Sequence, residues 1–130
     1  MLDFTGLRLQ DDTPIYQQLI RHVQLCVVAG SVQPGDELPS RRLLSAQLGV
    51  NPNTVQKAYR QLEEEGLLRS FAGSKSVLTF TPGMAADIRA RLLAAAAQGY
   101  VAQAKQLGLS AYETLAPIAR DWKEETERNR

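Results

Sequence analysis

One stretch, Leu38–Leu62 (LPSRRLLSAQLGVNPNTVQKAYRQL), restricts the possible folds more than any other. It spells two helices joined by a tight turn. Ser40 is a good N-cap for the first, short helix, which is predicted to start after Pro39-Ser40. Gly49 stands just past its C-terminus, where a left-handed backbone suits glycine. Asn51 is a strong N-cap for the second helix, and Pro52 takes its first position, where a missing N–H costs nothing. Val55, Ala58, Tyr59 and Leu62 then recur at i, i+3, i+4 and i+7, an apolar side predicted to face the core. The opposite side carries Asn53, Lys57 and Arg60, flanked by Thr54 and Gln56. This is the outline of a helix-turn-helix.

Charge points the same way. Between Leu38 and Leu62 lie four basic residues, Arg41, Arg42, Lys57 and Arg60, and no acidic one. The net charge of the whole chain is +1, which by itself argues nothing. A local basic face on a nearly neutral protein is what groove binding needs, because phosphate contacts are electrostatic and independent of sequence. The competing reading is a solvated face on a structural module. Amides and a lysine on the outer face suit base edges: amides pair with adenine, lysine with guanine. Asn53, Thr54, Gln56 and Lys57 are therefore the candidate base contacts. Ser40 and Arg41 are candidate phosphate contacts, and Asn51 a candidate for both cap and backbone contact.

The segment LPSRRLLSAQLGVNPNTVQKAYRQLEEEGLL resembles the DNA-binding signature of GntR-type bacterial transcription regulators. Its Asn-Pro-Asn-Thr opening and the following Ala58-Tyr59 resemble the YtrA-like branch of that family. The match covers about a quarter of the chain and is specific, since many positions agree in order. The resemblance implies a dimeric regulator of nearby operons, often transporter operons in this branch. It also implies that Arg42 is the arginine used at the DNA.

Around this segment the chain reads simply. The length of 130 residues suits one small domain with an appendage, and 44% hydrophobic residues is ordinary for a globular protein. The first residues lack a basic region followed by an apolar core, and no apolar run approaches a membrane span, so a cytoplasmic location is expected. The single Cys26 excludes an internal disulfide and reads as a small buried apolar residue. Residues 1–12 read as an extended or loose leader, too apolar for a pure tail, with Phe4 or Leu7 packed on the domain or on a partner. Asp12 or Thr13 is the expected N-cap of a helix over 14–29, with Pro14 first and Gly30 last. His22 is expected on its wet side, and a lone His is no metal site. Val32–Leu38 reads as a turn, with Pro34-Gly35 in its centre. Glu63, Glu64 and Glu65 are expected on the solvent side, turning that end of the helix away from DNA.

Leu68–Phe71 and Ser76–Phe80 read as the strands of a β-hairpin, with Ala72-Gly73-Ser74-Lys75 as the turn. A hairpin after a helix-turn-helix is a wing. The resemblance implies a tip reaching the minor groove, with Gly73 the family's tip glycine. Lys75 is the only cation at this tip, fewer than the family carries, which implies weaker anchoring or a different contact.

Pro82-Gly83 is predicted to break the chain and bound two regions: a winged helix-turn-helix DNA-binding domain over 1–81 and a helical dimerisation segment over 82–130. The second holds two helices, the later one opening at Ser110 with Glu113 completing a capping box. Pro117 is expected to kink or interrupt it, and the polar tail to fray. Two such helices offer each other too little surface for a core, so pairing in a two-fold dimer is expected. Tyr100, Tyr112 and Trp122 are candidates to line a cleft for a small-molecule effector, or else to fill the dimer core.

The expected fold is thus mostly α with a small β-hairpin wing, and the expected function a sequence-specific repressor binding a palindromic double-stranded operator as a homodimer. A ligand sensor and a protein-binding winged helix remain alternatives. No cofactor is expected. Catalysis lacks support: there is one His, no metal-ligand cluster and no phosphate-cradling glycine loop.

Overall fold

The computed structural model describes residues 1–72 and 75–129. Eight elements run in the order α1 (Ile15–Ala29), β1 (Glu37–Leu38), α2 (Arg41–Leu48), α3 (Pro52–Glu64), β2 (Leu68–Ser70), β3 (Ser76–Leu78), α4 (Pro82–Gln106) and α5 (Ala111–Arg128). They pack as two units, Met1–Arg89 and Ala90–Arg130.

In the first unit α1, α2 and α3 share one core. Leu19 and Val23 of α1, Leu44 of α2, and Val55, Ala58, Tyr59 and Leu62 of α3 have no accessible surface. The expected caps form. Ser40 Oγ accepts from the Leu43 N–H at 3.1 Å, and Asn51 Oδ1 accepts from the Asn53 N–H at 2.8 Å. Gly49 turns the chain between α2 and α3 at φ 67°, a conformation that a side chain would oppose. Ser45 secures the turn by donating to the Val50 carbonyl at 2.6 Å. The start of α1 differs from expectation. Pro14, not Asp12 or Thr13, occupies the N-cap, and no side chain caps it. The Thr13 hydroxyl instead lies 3.3 Å from the Asp12 carboxylate, and the Thr13 carbonyl accepts from Gln18 Nε2.

The leader is a strap packed on the domain, with Phe4 inside as expected. Leu2 and Phe4 are both buried, and the Leu2 N–H donates to the Glu37 carbonyl at 2.9 Å. His22, expected on the wet side, is half-buried and holds this strap. Its ring lies 4.8 Å from that of Phe4, and its Nε2 is 2.8 Å from the Asp3 carbonyl oxygen. Periodicity could not show this, because the strap crosses the side of α1 that the leader leaves open in the sequence.

The sheet is larger than a hairpin. Pro34-Gly35 forms the expected turn, with the Asp36 N–H donating to the Gln33 carbonyl and Gly35 at φ 93°. The next residues, expected to belong to that turn, form β1. Antiparallel pairing gives a three-stranded sheet of order β1-β3-β2, with Glu37 opposite Val77 and Leu68 opposite Leu78. A two-residue strand has no alternation to detect; partners across space define it.

Pro82-Gly83 does not break the chain. Pro82 is the first residue of α4, and Thr81 Oγ1 accepts from the Met84 N–H at 3.2 Å as its cap. The early part of α4 packs with the first unit, where Ile88 is buried and Arg89 donates to the Val28 carbonyl.

In the second unit α5 opens with the expected capping box of Ser110 and Glu113. It runs through Pro117 without interruption and includes the polar tail as far as Arg128. Proline removes one N–H from the ladder and crowds the carbonyl four residues back, at a cost of about 3 kcal/mol. The Tyr100 hydroxyl donates to the Thr114 carbonyl at 2.8 Å, tying α4 to α5. Little else is inside: of the apolar residues from Ala90 on, only Ala104 is buried among those described.

Candidate nucleic-acid interface

Burial of Val55, Ala58, Tyr59 and Leu62 fixes which side of α3 looks outward. Asn51, Asn53, Lys57 and Arg60 are exposed, with Thr54 and Gln56 half-buried at the margins. An α-helix with its side chains is about 10–12 Å across and suits a major groove about 12 Å wide. Neither α2 nor α3 has an acidic residue in its first turn, which leaves both helix N-termini favourable to phosphate.

The candidate cations are placed unequally. Arg42 is exposed beside the N-terminus of α2. Lys57 has its Nζ 3.9 Å from the centre of the Tyr16 ring, a cation–π contact that steadies it against α1. Arg41 turns into the domain: its Nη2 donates to Ser70 Oγ at 2.8 Å and its guanidinium lies over the Tyr59 ring. Burial pushes the Tyr59 phenol well above its ordinary range, against a smaller opposing pull from Arg41. The phenol donates to the Pro39 carbonyl at 2.7 Å, just ahead of Ser40.

The wing is also tied inward. Lys75 Nζ lies 3.1 Å from Glu37 Oε1, an exposed ion pair across the sheet edge. Arg69 lies over the Phe71 ring at 5.3 Å. Gly73 lies outside the described residues. Of the three acids at the end of α3, Glu63 accepts from the Ser70 N–H at 2.7 Å and Glu65 from Gln24 Nε2 at 3.4 Å. Both therefore serve the fold as well as solvent. Sequence reasoning missed Tyr16, Glu37 and Ser70 as neighbours of the candidate cations. No local pattern could have found them, because each contact joins elements far apart in the chain.

The proposed effector aromatics are not gathered. Tyr100 is half-buried with its hydroxyl engaged, whereas Tyr112 and Trp122 are 85% and 77% exposed. A cavity of about 220 Å³ in the second unit is lined by Val101, Ala104, Lys105, Leu109, Thr114 and Leu115, among others, and by none of the three. Cys26 is half-buried, its Sγ 3.8 Å from His22 Nε2, and desolvation raises its thiol pKa. Among the described residues no group of three or more His, Cys, Asp and Glu could hold a metal ion. No helix among them is long and apolar enough to cross a membrane.

Residues 15–77 match the bacterial regulatory proteins of the gntR family. The HTH-type transcriptional regulator YhcF of Bacillus subtilis is 32% identical over 111 residues, covering 85% of this chain and 92% of that protein. The HTH-type transcriptional repressor YtrA of the same organism is 44% identical over 64 residues, 49% of each chain. A GntR family transcriptional regulator from Listeria monocytogenes superposes with a TM-score of 0.77 at 27% identity, covering 86% of this chain and 98% of that one. The chain belongs to the gntR family, with the YtrA-like branch supported, and is a DNA-binding transcription regulator.

Proposed function

We propose that this gntR-family regulator works as a homodimer that represses transcription from a palindromic operator. One observation carries the dimer: Leu93 of α4, Leu107 just after it, and Tyr112, Leu115 and Trp122 of α5 are all more than 60% exposed. Apolar surface of this extent on two helices with so small an interior is the surface of an interface. A two-fold dimer offers two α3 helices to successive major grooves, about 34 Å apart on one side of the duplex. Asn53, Thr54, Gln56 and Lys57 read base edges, while Ser40, Arg42 and Asn51 hold the backbone. The wing adds Lys75 and Gly73 at the neighbouring minor groove. Repression follows the printed role of the B. subtilis relative YtrA, and a transporter operon as target follows from the resemblance to that branch. The location is the cytoplasm, where the operator is.

Selection of bound sequences from a random duplex library, with sedimentation of the free protein, tests this. An enriched palindrome and a dimeric species are expected. Enrichment of a single unrepeated half-site by a monomer would overturn the dimer.

A further inference from the structure

We propose that Arg41 is a positioning residue: it clamps the wing to the helix-turn-helix instead of contacting phosphate. The inference rests on the reading that both α3 and the wing meet the operator. Arg41 is the first residue of α2 and carries one of the four positive charges of the motif, so an outward phosphate contact is its simplest use. Its geometry says otherwise. The guanidinium reaches β2, where Nη2 donates to Ser70 Oγ at 2.8 Å. With its oxygen accepting there, the Ser70 hydroxyl can give its own proton to Ser76 Oγ, 3.4 Å away on β3. From the other side the Ser70 N–H donates to Glu63 Oε1 of α3 at 2.7 Å.

Ser70 is thus the meeting point of α2, α3 and both wing strands. The planar guanidinium also lies over the Tyr59 ring, 5.3 Å from its centre, and Tyr59 in turn holds Pro39. Arg41 Nε is fully covered, so that part of the side chain is out of reach of a DNA backbone. A lysine could not reproduce the fork and the stacking together. The wing strands are three residues each and bury Leu68, Ser76 and Leu78 against the domain. The charged hydrogen bond to Ser70 adds to that burial and holds β2 against α2 and α3.

Arg41→Ala, Ser70→Ala and the double variant test this in the full chain, with two readouts. The first needs no DNA: amide hydrogen exchange at Phe71, Val77 and Leu78 in the free protein. Both single variants should speed exchange there and leave α1 unchanged; unchanged wing exchange would overturn the clamp. The second is binding to the selected operator at several salt concentrations. Each single variant should weaken binding by on the order of tenfold, the worth of a hydrogen bond to a charged group. The double variant should be no worse than either, because they break one link. Ser70→Ala removes no charge, so equal salt slopes for the two single variants mark a positioning role. Wild-type binding by Ser70→Ala, with a slope lower by about one for Arg41→Ala, would make Arg41 a phosphate contact and overturn the proposal. Faster wing exchange in a protein that binds no duplex would support the clamp and defeat the DNA reading alone.

Discussion

The two units of this molecule are built from similar helices and solve opposite problems. In Met1–Arg89, residues such as Leu19, Leu44, Val55, Tyr59 and Leu62 are sealed, and a sheet, a strap and side-chain caps close the edges. In the unit from Ala90 on, two helices of good local design leave Leu107, Tyr112 and Trp122 almost bare. Helix formation and burial are therefore separate achievements. Capping and propensity make a helix; only a third surface makes it a core. The first unit finds that surface in its own chain, and the second presents it outward.

The largest effects come from breaking the contrast at its core. Leu62→Ala should cost about 2–5 kcal/mol in urea unfolding, through lost transfer and an unfilled cavity. Leu115→Ala, 64% exposed within its own chain, should change the monomer's stability little and instead weaken the dimer, seen as a stronger concentration dependence of sedimentation. Equal losses from both would erase the contrast. Ending the chain at Arg89 or at Thr81 sharpens the boundary. The longer version should melt cooperatively as a monomer. The shorter loses the buried Ile88 and should be less stable by about 2 kcal/mol or more, measured by the same unfolding.

Smaller effects test the outer faces. Lys57→Ala should lose about 1–3 kcal/mol of operator binding and relax preference at one base pair; an unchanged preference profile removes Lys57 from the base-reading set. Ser110→Ala should cost about 1 kcal/mol of α5 stability, read by circular dichroism. The smallest effect is on acidification. Hydrogen bonds from Ser110 hold the Glu113 carboxyl below its ordinary range. Its contribution is therefore complete above the unfolded carboxylate value and is lost as pH falls through the depressed one. Helicity of the wild type should fall there more than that of Glu113→Gln, which has no carboxylate to protonate.

Much of this was legible from local chemistry. The caps Ser40, Asn51 and Ser110, the glycine turn at Gly49 and the apolar side of α3 each depend on residues within a few positions of one another. The same holds for the outward placing of Asn53 and Lys57, which follows from helix period alone. Two prolines interrupt less than expected: Pro82 starts a helix with Thr81 at its cap, and α5 runs on through Pro117. The remaining differences concern distance. The His22 strap contact spans 19 residues and the Arg41–Ser70 bond spans 29.

By itself, then, the sequence determined the two helices of the motif, the caps Ser40, Asn51 and Ser110, the face of α3 that looks outward and the family to which the chain belongs. Each is set by neighbours in the chain or by an ordered motif. The tertiary structure decided the rest: that Leu2 joins Phe4 in the core, that Glu37-Leu38 is a strand, and that Lys75 and Arg41 are paired with groups of the fold while Arg42 is exposed. Adjacent arginines have the same charge and the same reach. Which of them faces outward depends on whether a partner such as Ser70 is carried to it by the fold, and nothing local to residues 41 and 42 records that.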